Sequence, residues 1–185
     1  MSLSDFASKL PDFARDIRVN IDLLLGEEVL DDQRKYGTML ACAHVTGHRP
    51  LIRATEDETA DKLTPEAANA ARSAASVMTM NNVYYRFVHL ASNKEYGAMP
   101  VKLRMNAIGC PGIDNADFEM FGLAVSAING CGMCIDAHEQ VLKRARVSAC
   151  EIQAAVRIAA VMQAAAAADR SRVEVRAWQD QPVTA

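Results

Sequence analysis

The chain has 185 residues, enough for one domain that buries roughly 70% of the surface its unfolded form exposes, so folding requires neither a disulfide nor a metal. Its 20 basic and 23 acidic residues give a net charge of −3, and without a polybasic run this excludes the electrostatic footprint of a nucleic-acid-binding protein. No stretch approaches the roughly 18 uninterrupted apolar residues of a membrane-spanning helix. The N-terminus lacks the basic start and apolar core of an export signal, so we expect a soluble, cytoplasmic protein whose thiols stay reduced.

The residue usage predicts an all-α fold. Ala, Leu, Met, Glu and Arg dominate, alternating β-branched runs are nearly absent, and apolar residues recur at helical spacing. We therefore predict a single-domain helical bundle over residues 1–185. Tyr36-Gly37 and Phe121-Gly122 each precede a stretch of small residues, which suggests two related helical halves.

The first predicted helices are recognised by their caps. Ser4 and Asp5 are expected to cap a helix, and Pro11 either interrupts that helix or lies in the first turn of a second one. Asp31 is expected to open a further helix that ends near Gly47.

The middle of the chain combines one clear helix start with a loop-rich region. Residues 64–66, Thr-Pro-Glu, supply a cap, a first-turn proline and an acidic first turn. Asn81 and Asn82 are expected to break or kink this helix before a short amphipathic segment. Residues 91–115 are rich in glycine and proline, and one helix is expected near Val101–Ala107.

Three helix boundaries are expected in the last third of the chain. A cap at residues 114–115 opens a helix that the left-handed or turn preference of Gly130 ends. Ser148 and Glu151 form a capping box for an alanine-rich helix. Residues 170–185 are expected to form a surface helix and a frayed tail.

The stretch "INGCGMCIDAHEQVLKRARVS", residues 128–148, carries the strongest chemical signal. Cys131 and Cys134 lie at a predicted helix start, where free backbone N–H groups and the helix dipole stabilise a thiolate. His138 lies one turn beyond Cys134 and can accept or relay its proton. Glu119 would lie about 18 Å from Cys131 on a continuous helix, so only a chain reversal can bring it near.

Other interpretations of the same residues stay open. The two cysteines and His138 offer three zinc ligands, with Cys150 as the nearest fourth, so a zinc-stabilised, non-catalytic helical module is an alternative. Two core cysteines beside a hydrogen-bonded histidine would be a purely structural arrangement. Covalent haem attachment requires a histidine directly after the second cysteine, where Ile135 stands.

The remaining reactive residue types are expected to be structural. His44 and His48 lie one turn apart, but no carboxylate at helical spacing completes a metal site with them. The isolated cysteines are Cys42, Cys110 and Cys150. The methionines expected in adaptable core packing include Met78, Met80, Met99, Met105 and Met120.

Four segments of the chain, two of which overlap residues 128–148, have a familiar pattern: "MNNVYYR", "LRMNAIGCPGI", "FEMFGLAVSAINGC" and "CIDAHEQVLKRARVS". They resemble the alkyl hydroperoxide reductase D (AhpD) proteins of the carboxymuconolactone decarboxylase-like superfamily, and the likeness extends from near the N-terminus to about residue 168. The C-xx-C-xxx-H motif with an upstream glutamate is its most specific part.

The resemblance implies an all-helical, homotrimeric antioxidant enzyme with no bound prosthetic group. Its cysteine pair would reduce alkyl hydroperoxides and, more importantly, re-reduce the peroxiredoxin AhpC. The electrons would come from dihydrolipoamide, carried on the dihydrolipoamide acyltransferase and regenerated by dihydrolipoamide dehydrogenase with NADH. A decarboxylating lyase of the same superfamily is a further alternative, although such enzymes do not depend on a cysteine pair.

Site roles also follow from the resemblance. It makes Cys134 the thiol that becomes a sulfenic acid and forms the mixed disulfide with the peroxiredoxin, and Cys131 its proton donor and disulfide partner. Glu119 and His138 become the proton relay. The helix-start position alone would favour Cys131 as nucleophile, but the nearby histidine favours the family assignment. Met133 stands where some members carry a histidine, so a relay step through that position is not expected.

Overall fold

The computed structural model describes residues 1–179, and its regular structure over that range consists of helices without a strand. The prediction of an all-α fold is confirmed. In chain order the helices are α1 (Leu3–Ser8), α2 (Arg15–Leu25), α3 (Asp32–Thr46), α4 (Arg49–Thr59), α5 (Pro65–Leu90), α6 (Glu95–Ala98), α7 (Asn106–Gly109), α8 (Asn115–Asn129), α9 (Gly132–Arg144) and α10 (Ala149–Gln179). None of the helices described is both long and apolar enough to cross a membrane.

Helices α3 and α8 form the centre of the molecule. They pack against each other, α5 lies along both, and α10 also contacts both. Helix α4 folds back along α3, α1 packs on α4 and α2, and α2 lies along α10. Helix α9 reverses direction after α8 and also contacts α5, so α5, α8 and α9 meet around one space.

Small residues allow these helices to approach closely. The rings of Phe118 and Phe121 on α8 are fully buried in a cluster with Ala70, Ala71 and other small residues of α3 and α5. Burial of each ring contributes about 2–3 kcal/mol to folding. Gly37 on α3 lies directly against the Phe121 ring, and a side chain at that position would collide with it.

Several predicted helix ends are confirmed. Asp31 caps α3, Thr64 caps α5 and Asp114 caps α8, each by accepting a backbone N–H hydrogen bond with its side chain. Gly47 and Gly130 end α3 and α8 in the left-handed conformation, with φ of 65° and 66°. At these ends, the capping residue or the glycine is therefore sufficient to determine where the helix begins or ends.

Two predicted features of the middle region are wrong. Asn81 and Asn82 do not break α5; both are buried in its interior and the helix continues to Leu90. Residues 101–105 form no regular structure, with Lys102 at a left-handed φ of 52°, so the helix expected near Val101–Ala107 is reduced to the single turn of α7. The packing of α5 against α8 outweighs the weak helix propensity of asparagine.

Other differences concern the two ends of the chain. Ser2, rather than Ser4, caps α1, in a reciprocal arrangement with Asp5. Pro50 lies in the first turn of α4, a helix that the sequence pattern does not predict. At the C-terminus α10 continues to Gln179 without the predicted boundary near residue 170, and residues 180–185 of the predicted tail lie outside the described residues.

Candidate active site

The reversal between α8 and α9 places the cysteine pair. Gly130 adopts its left-handed conformation, and the backbone N–H of Cys131 donates to the carbonyl of Ser126 at 3.1 Å. Cys131 is thus the residue that precedes α9, and its carbonyl accepts the first helical hydrogen bond from Ile135 at 2.9 Å. Cys134 lies in the first turn, where unpaired N–H groups and the helix dipole favour negative charge.

Cys131 and Cys134 form a disulfide, with Cα atoms 5.3 Å apart. The two cysteines differ in accessibility, because Cys131 is 0% exposed whereas Cys134 is 7% exposed and lines a cavity. A molecule in the cavity therefore contacts Cys134, whereas Cys131 is not part of the lining. Zinc binding requires free thiolates, so neither cysteine is a metal ligand in this state.

His138 and Glu119 form a buried pair beside the disulfide. The Nδ1 atom of His138 lies 2.6 Å from Oε2 of Glu119, and both side chains are less than one-tenth exposed. The two residues belong to α9 and α8, so the chain reversal brings Glu119 next to the CxxC helix, as expected for that residue. Glu119, Cys134 and His138 all line the same cavity.

The other side of the His138 ring is also held. Its Nε2 atom lies 3.3 Å from Sδ of Met78, and a thioether accepts hydrogen bonds but does not donate them. The contact therefore favours the tautomer with an N–H at Nε2, and the short Nδ1–Oε2 contact ties the ring to Glu119. Gly122 lies beneath the ring, and a Cβ atom there would be 2.8 Å from Cε1 of His138.

The cavity has a volume of about 370 Å³ and mostly apolar walls. Cys134, His138 and Glu119 line it, and the remaining lining residues are Met78, Asn81, Tyr85, Met105, Ile108, Met133, Ala137 and Val141. The predicted role of methionine in core packing holds for Met120 and for Met78, which is buried in the core and also borders the cavity, whereas Met80 is half-buried, Met105 lines the cavity and Met99 is exposed. The spacing of Met78, Asn81 and Tyr85 along α5 could have indicated a shared helix face.

The other histidines and cysteines lie outside this cavity. His44 Nε2 lies 2.7 Å from Glu56, and the buried His48 Nε2 lies 2.9 Å from Asp169, which fits their predicted structural roles. The free cysteines are Cys42, which is buried, and Cys110 and Cys150, which are exposed. Burial raises the pKa of the Cys42 thiol far above its ordinary value. Within residues 1–172, whose side chains the structure describes, no cluster of three or more His, Cys, Asp and Glu could hold a metal ion.

Comparison with known proteins agrees with this geometry. Residues 94–175, which contain α8, α9 and the cysteine pair, match the model of the carboxymuconolactone decarboxylase family. The chain is 66% identical to the alkyl hydroperoxide reductase AhpD of Rhizorhabdus wittichii over 90% of its own length and 96% of the relative's. It is 56% identical to the AhpD of Rhodopseudomonas palustris, covering 90% and 92% of the two chains, and 55% identical to that of Brucella suis, covering 91% and 96%. The chain belongs to the alkyl hydroperoxide reductase AhpD family.

Proposed function

We propose that this protein is an antioxidant thiol–disulfide oxidoreductase that reduces alkyl hydroperoxides and regenerates the peroxiredoxin AhpC with electrons from dihydrolipoamide. The observation that carries the proposal is the disulfide whose more accessible sulfur, Cys134, lines an apolar cavity beside the buried His138–Glu119 pair. The cytoplasm, where thiols are kept reduced, is the compartment in which such a cycle would turn over.

The first step oxidises Cys134. Its thiolate attacks the terminal oxygen of the hydroperoxide, an S–O bond forms, and the O–O bond breaks with its electron pair leaving on the alkoxide. The hydroperoxide is reduced to an alcohol and Cys134 becomes a sulfenic acid. In this scheme His138 and Glu119, which bond to each other, act as the relay that takes the proton of the thiol and returns one to the alkoxide.

The second step closes the disulfide. The thiol of Cys131 attacks the sulfenic sulfur of Cys134, and water leaves as the S–S bond forms. The burial of Cys131 supports this order of events, because a fully enclosed thiol meets its neighbour more readily than an external oxidant. Proton transfer rests on Glu119, His138 and water, because Met133 cannot carry a proton.

The third step returns the electrons. One thiolate of dihydrolipoamide attacks Cys134, the mixed disulfide resolves as the second thiol closes the lipoamide ring, and both cysteines become thiols again. Dihydrolipoamide dehydrogenase re-reduces lipoamide with NADH, and the dihydrolipoamide acyltransferase carries it. Oxidised AhpC would be reduced through a mixed disulfide with the same Cys134. In this scheme the protein holds no prosthetic group.

An NADH-coupled assay with lipoamide, dihydrolipoamide dehydrogenase and an organic hydroperoxide tests the proposal. We expect NADH consumption with the wild-type protein and none above background with Cys134→Ser. Cys110→Ser is the matched control, because this exposed cysteine lies outside the site and its loss should leave the rate unchanged. Turnover in Cys134→Ser equal to wild type would refute the proposal.

A separate measurement tests which thiol attacks first. Peroxide should produce a sulfenic acid in Cys131→Ser, where Cys134 remains, but none in Cys134→Ser. The opposite result would reverse the assigned roles of the two cysteines.

A further inference from the structure

Asn81 is a buried polar residue in an apolar wall of the cavity. It is 5% exposed, and it lies on the same face of α5 as Met78, which contacts His138. Its Oδ1 atom accepts no hydrogen bond from any of the residues whose side chains the structure describes. A buried carbonyl without a donor costs stability, so a fold gains nothing by keeping it there.

The adjacent residue shows what a structural asparagine does in the same helix. Asn82 donates from Nδ2 to Oγ of Ser126 at 2.9 Å, and its Oδ1 accepts from Nδ2 of Asn129 at 2.9 Å. Both contacts tie α5 to α8. Asn81 makes no such tie with its Oδ1 and instead lines the cavity that contains Cys134.

Two other polar side chains that line the cavity, Glu119 and His138, are already engaged, whereas the Tyr85 hydroxyl at the cavity makes no hydrogen bond to the described side chains. Glu119 and His138 bond to each other, and the second ring nitrogen of His138 contacts Met78. A carboxamide offers an acceptor oxygen and a donor N–H₂ side by side. A hydroperoxide group offers the complementary pair on adjacent atoms, namely a terminal O–H and an oxygen that accepts.

We propose that Asn81 binds the hydroperoxide group of the substrate, an inference that rests on the proposed function. Oδ1 is enclosed and unpaired in the free protein, so on substrate binding the carboxamide turns until Oδ1 accepts from the terminal O–H and Nδ2 donates to the oxygen bonded to carbon. When the Cys134 thiolate attacks the terminal oxygen, the O–O electron pair moves to the carbon-bound oxygen. The Nδ2 donor stabilises the negative charge that develops there, until that oxygen takes a proton and leaves as the alcohol.

This role separates the two half-reactions of the catalytic cycle. A hydroperoxide has the O–H and the developing alkoxide that Asn81 recognises. Attack of a dihydrolipoamide thiolate on the Cys131–Cys134 disulfide produces a thiolate on sulfur and no alkoxide. Asn81 therefore acts in the oxidation of Cys134 by hydroperoxide and not in the reduction of the disulfide.

The test compares both half-reactions in Asn81→Leu, which keeps a side chain of similar size. With tert-butyl hydroperoxide and pre-reduced protein, we expect the rate of Cys134 oxidation to fall about 10- to 100-fold, as for the loss of a hydrogen bond to a charged group. Reduction of the disulfide by dihydrolipoamide should keep its wild-type rate. The melting temperature should not fall, because the variant removes an unpaired buried carbonyl.

Asn82→Leu is the matched control, and it should lower the melting temperature because it breaks two hydrogen bonds between α5 and α8. If Asn81→Leu does not fold, Asn81→Ala removes the same carboxamide and is measured in its place.

The outcomes separate this inference from the proposed function. If the wild-type protein does not react with the hydroperoxide, the proposed function fails and the inference fails with it. If the wild type reacts and Asn81→Leu reacts equally fast, only the role of Asn81 is overturned. A loss of both half-reactions to the same extent, with a lower melting temperature, would make Asn81 structural and also overturn the inference.

Discussion

His138 shows how one side chain is held by residues from two other helices. Glu119 of α8 bonds to Nδ1, Met78 of α5 contacts Nε2, and Gly122 of α8 leaves room for the ring. Together these contacts restrict the orientation of the imidazole ring and its distance from α8. The ring therefore stays beside the first turn of α9, which contains Cys134.

Gly122→Ala should displace this ring, because the new Cβ would lie 2.8 Å from Cε1 of His138. We expect Cys134 oxidation by hydroperoxide to slow about 10- to 100-fold, since small misplacements of catalytic groups have effects of this size. The free energy of unfolding should fall by about 1–3 kcal/mol through overpacking.

Kinetics of sulfenic acid formation and urea unfolding measure the two effects. Gly26→Ala is the control, because the nearest atom to its new Cβ would be at 3.7 Å. A wild-type oxidation rate in Gly122→Ala would show that the position of the ring does not limit the reaction.

At the scale of elements, Arg34 joins three helices. From α3 its guanidinium donates to Asp117 on α8 and to Glu151 on α10, each at 2.7 Å. Gln33 adds a second donor to Asp117, which is only 6% exposed. Burial opposes the charge of Arg34, but the hydrogen bond and proximity of Asp117, with Glu151 nearby, hold the pKa of Arg34 above its ordinary value, so the guanidinium stays charged.

Arg34→Leu should lower the free energy of unfolding by roughly 2–4 kcal/mol, because it leaves the Asp117 carboxylate buried without its cation. Urea denaturation measures the change. Arg15→Leu, at an exposed position on α2, should change stability little. The double variant Arg34→Leu/Asp117→Leu should recover part of the loss, and no recovery would mean that the cost is not the unpaired charge.

The suggestion of two related halves gains support at this scale. Helices α3 and α4 are joined through left-handed Gly47, and α8 and α9 through left-handed Gly130. The residue after each glycine precedes the next helix, and it is His48 in the first unit and Cys131 in the second. In the first unit His48 bonds to Asp169, a structural contact, whereas the second unit holds the disulfide. The same local shape thus supports different chemistry.

At the scale of the whole molecule, acid should destabilise the fold partly through Glu56. Hydrogen bonds from Arg72 and His44 lower the pKa of Glu56 below its ordinary value of 4.5, although burial opposes them. A carboxyl whose pKa is lower in the folded state stabilises the fold above the unfolded value, and this contribution is lost as the pH falls through the folded value. Glu56 connects α4 to α3 and α5, so its protonation should weaken the packing of all three.

Glu56→Gln should therefore reduce stability at neutral pH and flatten the further loss of stability below pH 4.5. Urea unfolding at a series of pH values measures the slope. Glu28→Gln, at an exposed position, is the control. An unchanged slope in Glu56→Gln would place the acid sensitivity elsewhere in the molecule.

Self-association is the other expectation for the whole molecule. The resemblance predicts a homotrimer, and the last turns of α5 expose Val83, Phe87 and Leu90, apolar side chains that association would cover. Light scattering should give about three times the chain mass of 20.1 kDa.

Phe87→Asp tests whether that face forms the interface, and it should shift the mass toward one chain. Leu23→Asp on α2, also at an exposed apolar position, is the control and should leave the mass unchanged. A wild-type mass of one chain would contradict the trimer, and an unchanged mass in Phe87→Asp would exclude this face as its interface.

Some features of this protein depend on neighbouring residues in the sequence, and others depend on contacts between distant segments. The sequence by itself determined the helical class, the caps at Asp31 and Thr64, the stop at Gly130 and the reactive spacing of the two cysteines, because these depend on groups a few residues apart. Only the tertiary structure decided that α5 continues through Asn81 and Asn82. Both side chains are buried and Asn82 bonds to Ser126 of α8, so packing between distant segments overrides local propensity.

The cysteine motif shows the same division. Its position at a helix start follows from neighbouring residues, but the burial of Cys131 and the accessibility of Cys134 depend on how α9 packs on α5 and α8. The His138–Glu119 pair forms across 19 positions and the contact with Met78 across 60, so no local pattern contains them. The sequence determined which groups are reactive, and the packing of three helices decided which of them meet and which faces the cavity.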